Sequence, residues 1–259
     1  MRLLACDLDG TLLGPGGAGL ATAKEVVDYC RVRGVHFTIA TGRVFGAVER
    51  YLSHLEIADP VITNGGAMVA ALGREPLMEK PIDPKTAASI ARELRREGLP
   101  FYLIVGKHMV TEWSGPDTAQ YSASLSFDIR VVPSVSTLGI APTQVAVRVP
   151  PGDAAAYVRV FRSLWSPRIT VLHSLPHLIE LQAEGVSKAG GLEFLAGTLG
   201  VAREEVLAVG DSLNDLDMLA WAGHSACVGN AHPEVAARVE VVAQAQFAEG
   251  ILEILKKTI

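Results

Sequence analysis

"LLACDLDGTLLGPGGAG", residues 3–19, holds two phosphate signatures that imply different proteins. The first is the acidic pair in Asp7-Leu8-Asp9-Gly10-Thr11, directly after the apolar run Leu3–Cys6. The second is Gly14-Pro15-Gly16-Gly17-Ala18-Gly19, which fits the dinucleotide pattern G-x-G-x-x-G letter for letter. A dinucleotide fingerprint needs its first glycine immediately after the first strand and its last glycine opening the helix. It also needs an acidic residue about 20 positions on, at the end of the second strand. Here Asp7 to Leu13 separate strand from glycine, and the second strand ends in "TIATG", residues 38–42, without a carboxylate. The glycine run is therefore read as a flexible loop. The acidic pair sits where ligands bind in open α/β sheets, outside the carboxyl end of a strand. Asp9 follows Asp7 by two residues, so in locally extended chain both carboxylates point the same way. Gly10 permits a sharp turn. Two like charges held together favour a cation between them or a raised pKa on one. A hard cation such as magnesium takes oxygen ligands.

Outward from this stretch, short apolar runs alternate with helical patterns. "LLAC" (3–6), "VHFTIA" (35–40) and "PVIT" (60–63) read as strands, with helices over 21–34 and 43–55 between them. Strand–helix–strand order with wholly apolar strands predicts a parallel sheet covered on both faces. The same grammar returns near the end. "EVLAVG" (205–210) and "SACVG" (225–229) are strands, "NDLDMLAWAG" (214–223) is a helix, and 247–259 is a closing helix. The middle differs. In "DPKTAASIARELRREG" (83–98), Asp83 is a natural N-cap, Pro84 stands at the first helical position and Gly98 is the stop. Ala87, Ile90, Ala91 and Leu94 form its apolar stripe. "FYLIVG" and "HMVTEW" follow too closely for anything but a hairpin. The helix 153–165 with "RITVLH" and "HLIELQA" repeats the helix–strand–strand unit, and another pair of strands is expected between the two units. The division predicted is a core of residues 1–81 and 185–259, with an α+β domain of antiparallel sheet over 82–184 inserted into it.

The chain has 259 residues, 49% hydrophobic and 20% charged, enough to bury a sizeable core. A net charge of −5 argues against a nucleic-acid protein. The basic cluster in "ARELRREG" is interleaved with Glu on a helix and reads as a solvated face. The three cysteines, Cys6, Cys30 and Cys227, are dispersed and suggest neither a disulfide framework nor a zinc site. His173 and His177 are separated by Pro176, which spoils a helical ligand pair. No signal peptide fits the N-terminus, and no run of about 18 apolar residues exists. A cytoplasmic protein acting on a small molecule, without membrane, is expected. The oligomeric state is not legible.

Three further strand ends carry chemistry. Thr41-Gly42-Arg43 places a hydroxyl in a tight turn. Lys188, in "EGVSKAGG", opens a helix, where a lysine opposes the macrodipole and a bound anion is a sensible reason for it. Asp211-Ser212-Leu213-Asn214-Asp215 adds two carboxylates. "DLDGT", "TGR", the lysine of "GVSKAGG" and "GDSLNDLDML" resemble the four ordered motifs of the haloacid dehalogenase superfamily. "VITNGGA" and "VGNAHPEV" further resemble its Cof-type phosphatase branch.

The resemblance implies a Rossmann-like doubly wound core with an inserted α+β cap. It implies a magnesium-dependent phosphatase acting on a small phosphorylated metabolite, a sugar phosphate-like monoester. Asp7 would be the nucleophile. Asp9 would be the general acid/base and would offer its backbone carbonyl to Mg2+. Thr41 and Lys188 would hold the phosphate, with Gly42 in the same turn and Asn214 in support. Asp211 and Asp215 would complete the metal site with Asp7 and Asp9. Arg43, Asn64, Gly65 and Asn230 are candidate contacts. Asp217 reads as a surface residue, and Cys6 points into the core. A carboxylate at Asp9, where ion-pumping relatives carry threonine, favours hydrolysis over a long-lived aspartyl phosphate. A phosphosugar mutase and a non-catalytic ligand-binding module are the alternatives.

Overall fold

A computed structural model describes residues 1–125, 127–135 and 139–258; Ile259, the end of the expected closing helix, lies outside these. The chain forms two compact units, one of residues 1–42, 49–78 and 187–259 and the other of residues 43–48 and 79–186.

The chain begins with β1 (Leu3–Cys6), α1 (Leu20–Val32), β2 (His36–Ile39), α2 (Phe45–Leu55), β3 (Val61–Thr63), β4 (Met68–Ala70) and β5 (Met78–Glu79). β1 is buried along its whole length. Leu3 and Ala5 pack with Leu192 and Met218, so Leu4 and Cys6 face the other side by strand alternation. Cys6 is fully buried, and burial together with the nearby Cys30 of α1 raises its thiol well above the ordinary range. A strand apolar on both faces is what two covering layers of helix require. α1 stops where Gly34 turns the chain. In the loop before it, Pro15–Gly17 form a short turn in which Pro15 and Gly16 are exposed.

β3 departs from the expected parallel sheet. It meets that sheet through a parallel bridge between Ala40 and Ile62, and pairs antiparallel with β4 in a three-stranded sheet ordered β3-β4-β5. The reason is the turn Asn64-Gly65-Gly66, where three successive residues have positive φ and reverse the chain at once. At Gly66, φ is +104°, and a Cβ would land on the Ser187 carbonyl and 3.0 Å from the Lys188 nitrogen. Gly66→Ala should therefore cost well over 1 kcal/mol, from strain and collision together. Gly73→Ala, with φ +71° and nothing within 4 Å, should cost only the left-handed strain, about 1 kcal/mol. Urea denaturation compares them, and equal losses would contradict the close packing.

The second unit continues with α3 (Pro84–Arg96), β6 (Phe101–Val105), β7 (His108–Thr111), α4 (Pro116–Leu125), β8 (Ile129–Val131), β9 (Gln144–Arg148), α5 (Ala154–Trp165), β10 (Ile169–Leu175) and β11 (Leu178–Ala183). α3 is capped as expected: the Asp83 carboxylate accepts from the Thr86 N–H at 2.9 Å, and the stripe Ala87, Ile90, Ala91 and Leu94 is buried. One sheet runs β10-β11-β9-β6-β7-β8. Phe101 and Leu103 face a core shared with α3 and α5. Tyr102 and Ile104 face a second cluster that includes Val44, Ala47 and Met109.

The second unit also differs from the sequence reading. The sheet is not wholly antiparallel, because β7 and β8 pair in parallel. The two strands expected between the helix–strand–strand units are present, β8 at one edge of the sheet and β9 in its interior. The helix α4 was not foreseen, because "PDTAQYSASL" is small and polar and carries almost no apolar stripe. Residues 43–48, assigned to the first domain from sequence, belong to the second unit, since Val44 and Ala47 are buried with Tyr102 and Met109.

The chain returns to the first unit with α6 (Lys188–Leu199), β12 (Val206–Gly210), α7 (Leu216–Trp221), β13 (His224–Cys227), α8 (Pro233–Ala236), β14 (Val241–Val242) and α9 (Phe247–Thr258). Its main sheet is parallel, ordered β14-β13-β12-β1-β2. From β1 the chain moves one way to β2, and from β12 the other way to β13. The adjacent ends of β1 and β12 are thus a topological switch point, where open α/β sheets bind ligands. No helix among the described residues is long and apolar enough to cross a membrane.

Candidate active site

The switch point brings two sequence-distant carboxylates together. Asp7 follows β1, and its N–H donates to the Val209 carbonyl of β12 at 2.9 Å. Asp211 follows β12, and Asp215 ends the short turn that comes next. One carboxylate oxygen from each of Asp7, Asp211 and Asp215 lies within 4.8 Å of the others. Lys188, the first residue of α6, reaches them: its Nζ donates to Asp7 Oδ1 and to Asp215 Oδ1, each at 2.6 Å. These three residues are almost wholly enclosed, with Asp7 5%, Lys188 3% and Asp215 0% exposed.

Each member is held from behind. Asp215 Oδ2 accepts the N–H groups of Asp211 (3.1 Å) and Ser212 (3.0 Å). Thr11 Oγ1 donates to Asp211 Oδ1 at 2.7 Å. Gly10, at φ +91°, is obligatory, since a Cβ there would fall 2.5 Å from Asp211 Oδ2. Ser187 caps α6 by accepting from the Gly190 N–H at 3.0 Å. Asp217, expected at the surface, is half-buried, and its Oδ2 accepts from the Ala189 N–H at 3.2 Å, so it offsets the positive end of α6.

Burial raises the Asp7 carboxyl to about 8; Lys188 opposes the shift, while Asp215 and Asp211 add to it. Asp211 is likewise raised, by burial first, with Thr11 opposing and Asp215 and Asp9 adding. Burial would lower the Lys188 ammonium, but Asp215 and Asp7 outweigh it and hold it above its ordinary value. Ionised, three carboxylates and one ammonium would leave a formal charge of −2 in a nearly closed space. An all-oxygen donor set of that charge fits a hard divalent cation such as magnesium. Asp7, Asp211 and Asp215 are the side chains that could hold it.

Other residues are placed differently from the expectation. The carboxylate of Asp9 is exposed and stands outside the three-membered group, so the crevice holds three clustered carboxylates where four were expected. Asp7 still bonds to β12 through its N–H, whereas the chain turns at Leu8, so the same-side argument for extended chain no longer applies at Asp9. Lys188 sits against carboxylates, which already answer the macrodipole argument for an anion. Thr41 is buried; its N–H donates to the Ile62 carbonyl (2.9 Å) and its carbonyl accepts from Gly65 (3.0 Å). Gly42 is half-buried, and Arg43 begins the short segment of the second unit. Asn64 and Gly65 are buried in the hairpin turn. Asn214 is exposed, and its Oδ1 accepts from Ser212 Oγ at 2.5 Å. Sequence reasoning missed the parts of Thr11 and Asp217. Thr11 was in view as the last letter of "DLDGT", but nothing in one sequence says which carboxylate its hydroxyl meets.

A family model described as haloacid dehalogenase-like hydrolase matches residues 4–255. The phosphatase YwpJ of Bacillus subtilis (strain 168) is 24% identical over 99% of this chain and 99% of its own length. The HMP-PP phosphatase of Serratia proteamaculans (strain 568) is 26% identical over 90% of this chain and 86% of its own. A solved haloacid dehalogenase-like hydrolase from Bacteroides thetaiotaomicron superposes with a TM-score of 0.89 at 24% identity, covering 100% of this chain and 99% of its own.

Proposed function

Because this chain belongs to the haloacid dehalogenase-like hydrolases, we propose that it is a magnesium-dependent phosphatase acting on a small phosphomonoester through an aspartyl phosphate. The observation that carries this reading is the buried set Asp7, Lys188, Asp211 and Asp215 at the joined ends of β1 and β12. Phosphoryl transfer needs an in-line nucleophile and neutralisation of the equatorial oxygens. Asp7 supplies the nucleophile. Its oxygen forms a bond to phosphorus as the bond to the substrate oxygen breaks. Asp9 protonates the leaving oxygen, then takes a proton from the water that attacks the aspartyl phosphate and releases inorganic phosphate. The exposed Asp9 carboxylate, outside the cluster, suits a group that must exchange protons. Lys188 and the Thr41 hydroxyl hold the transferred oxygens. Asp7, Asp211, Asp215 and the Asp9 backbone carbonyl would hold Mg2+, which would supply further positive charge to those oxygens. All of these residues belong to the first unit, and we assign the choice among phosphomonoesters to the inserted unit.

The test is turnover of an aryl phosphate and of a panel of small phosphomonoesters. Release of free phosphate without an isomerised product, lost with chelator and restored by Mg2+, is expected. An isomer without free phosphate would mean a mutase, and full activity in excess chelator would remove the metal from the mechanism.

The raised Asp7 carboxyl adds a pH signature. Between its ordinary value of 3.8 and about 8, the metal-free fold holds a proton that the unfolded chain has lost. Stability of the metal-free protein should therefore fall as pH rises through that window. Mg2+ must displace this proton, so its affinity should climb over the same range. Melting with and without Mg2+ from pH 5 to 8 should show a widening gap, and a constant gap would contradict the assignment of Asp7 as a ligand.

A further inference from the structure

Asn230 takes no part in the carboxylate cluster, yet its side chain makes two bonds that one carboxamide can combine. Nδ2 donates to the Gly10 carbonyl at 2.7 Å, and Oδ1 accepts from the Phe247 N–H at 3.1 Å. A carbonyl only accepts and a peptide N–H only donates, so the two partners dictate which way round the amide stands.

The loop carrying Asp7 and Asp9 is largely closed on itself. Leu12 donates to the Asp7 carbonyl (3.2 Å), Leu13 to that of Leu8 (2.8 Å), and Gly10 to that of Leu13 (2.8 Å). A turn stitched in this way can shift as a unit unless something outside holds it. Asp7 to Val209 holds its first residue, and Thr11 to Asp211 holds its far side. The Gly10 carbonyl, between them and next to Asp9, is held by Asn230, which lies beyond the end of β13. We propose that Asn230 is a positioning residue: by fixing the Gly10 carbonyl it sets the turn that presents Asp7 and Asp9 to Asp211. Its consequence for turnover rests on the phosphatase reading, but its geometry does not. Partners one step behind a metal-ligand set are typically worth 10–100-fold in metal affinity or activity.

Two variants of the full chain separate this role from a merely structural one. Asn230→Asp keeps an acceptor for Phe247 but puts an oxygen against the Gly10 carbonyl. Asn230→Ala removes both bonds. Hydrogen exchange on the metal-free proteins should show amides of residues 8–13 exchanging faster in both variants, and the segment around Phe247 faster only in Asn230→Ala. Asn230→Asp should also bind Mg2+ roughly 10–100-fold more weakly by calorimetry and lose kcat by a similar factor, with KM for an aryl phosphate little changed at saturating Mg2+. Parent-like exchange over residues 8–13 in Asn230→Asp would overturn the proposal and leave Asn230 as an anchor for α9 alone. Faster exchange there, in a chain whose parent shows no Mg2+-dependent turnover, would uphold the anchoring and sink the phosphatase reading instead.

Discussion

Asp7→Asn is expected to abolish phosphate release, by on the order of 10⁴-fold or more, as loss of a covalent nucleophile does. Asp9→Asn should slow it by roughly 10²–10⁴-fold, the usual worth of general acid–base catalysis. The two variants differ in one observable. With a leaving group that needs no proton, Asp9→Asn can still form the aspartyl phosphate, and it should accumulate because its hydrolysis lacks a base. Mass spectrometry of the quenched reaction should then place phosphate on the peptide containing Asp7, and none in Asp7→Asn. Phosphate on Cys6 would end the assignment, as would parent-rate turnover by Asp9→Asn. The structure argues against the thiol: Cys6 is fully buried, and burial raises its pKa well above the ordinary range.

Lys188→Met should have the largest effect on stability. The ammonium sits 2.6 Å from both Asp7 and Asp215, and all three are buried. Removing one partner of a buried ion pair leaves uncompensated charge and typically costs about 3–5 kcal/mol. Methionine keeps most of the volume, so the loss should be electrostatic rather than a cavity. It should be smaller at pH 5 than at pH 8, because the Asp7 carboxyl is raised to about 8 and is already protonated at the lower pH. Mg2+ should recover part of the loss by supplying positive charge to the same oxygens. Urea denaturation at both pH values, with and without Mg2+, reads all three effects. A variant as stable as the parent at pH 8 without metal would mean that Lys188 does not hold the cluster together.

Much of this was legible in the chain because the signals are local. β1 reads directly from "LLAC", since four apolar residues bounded by charge have few other uses. α3 declares itself through Asp83, Pro84 and a stripe at helical spacing. The choice between the two phosphate signatures needed only the distance from strand to glycine and the missing carboxylate after the second strand. α4 was missed for the converse reason: its residues are small, and its packing comes from Tyr121 and Leu125 meeting a sheet face that no local pattern reveals. The parallel pairing of β7 with β8 was missed because pairing direction belongs to two separated strands and to neither alone.

The site divides along the same line. The sequence by itself determined which strand ends carry carboxylates, a hydroxyl and a lysine, and in what order, because strand ends are set by hydrophobic runs a few residues long. Only the tertiary structure decided who meets whom. The register Cys6 to Val209 sets Asp7 beside the end of β12 and hence beside Asp211. The reach of α6 gives Lys188 to Asp7 and Asp215, and the turn after Asp7 leaves the Asp9 carboxylate outside the cluster. The physical reason is range. Local propensities act over one turn or one strand, whereas the charge balance of a buried site depends on contacts between residues as far apart along the chain as Thr11 and Asp211, 200 positions.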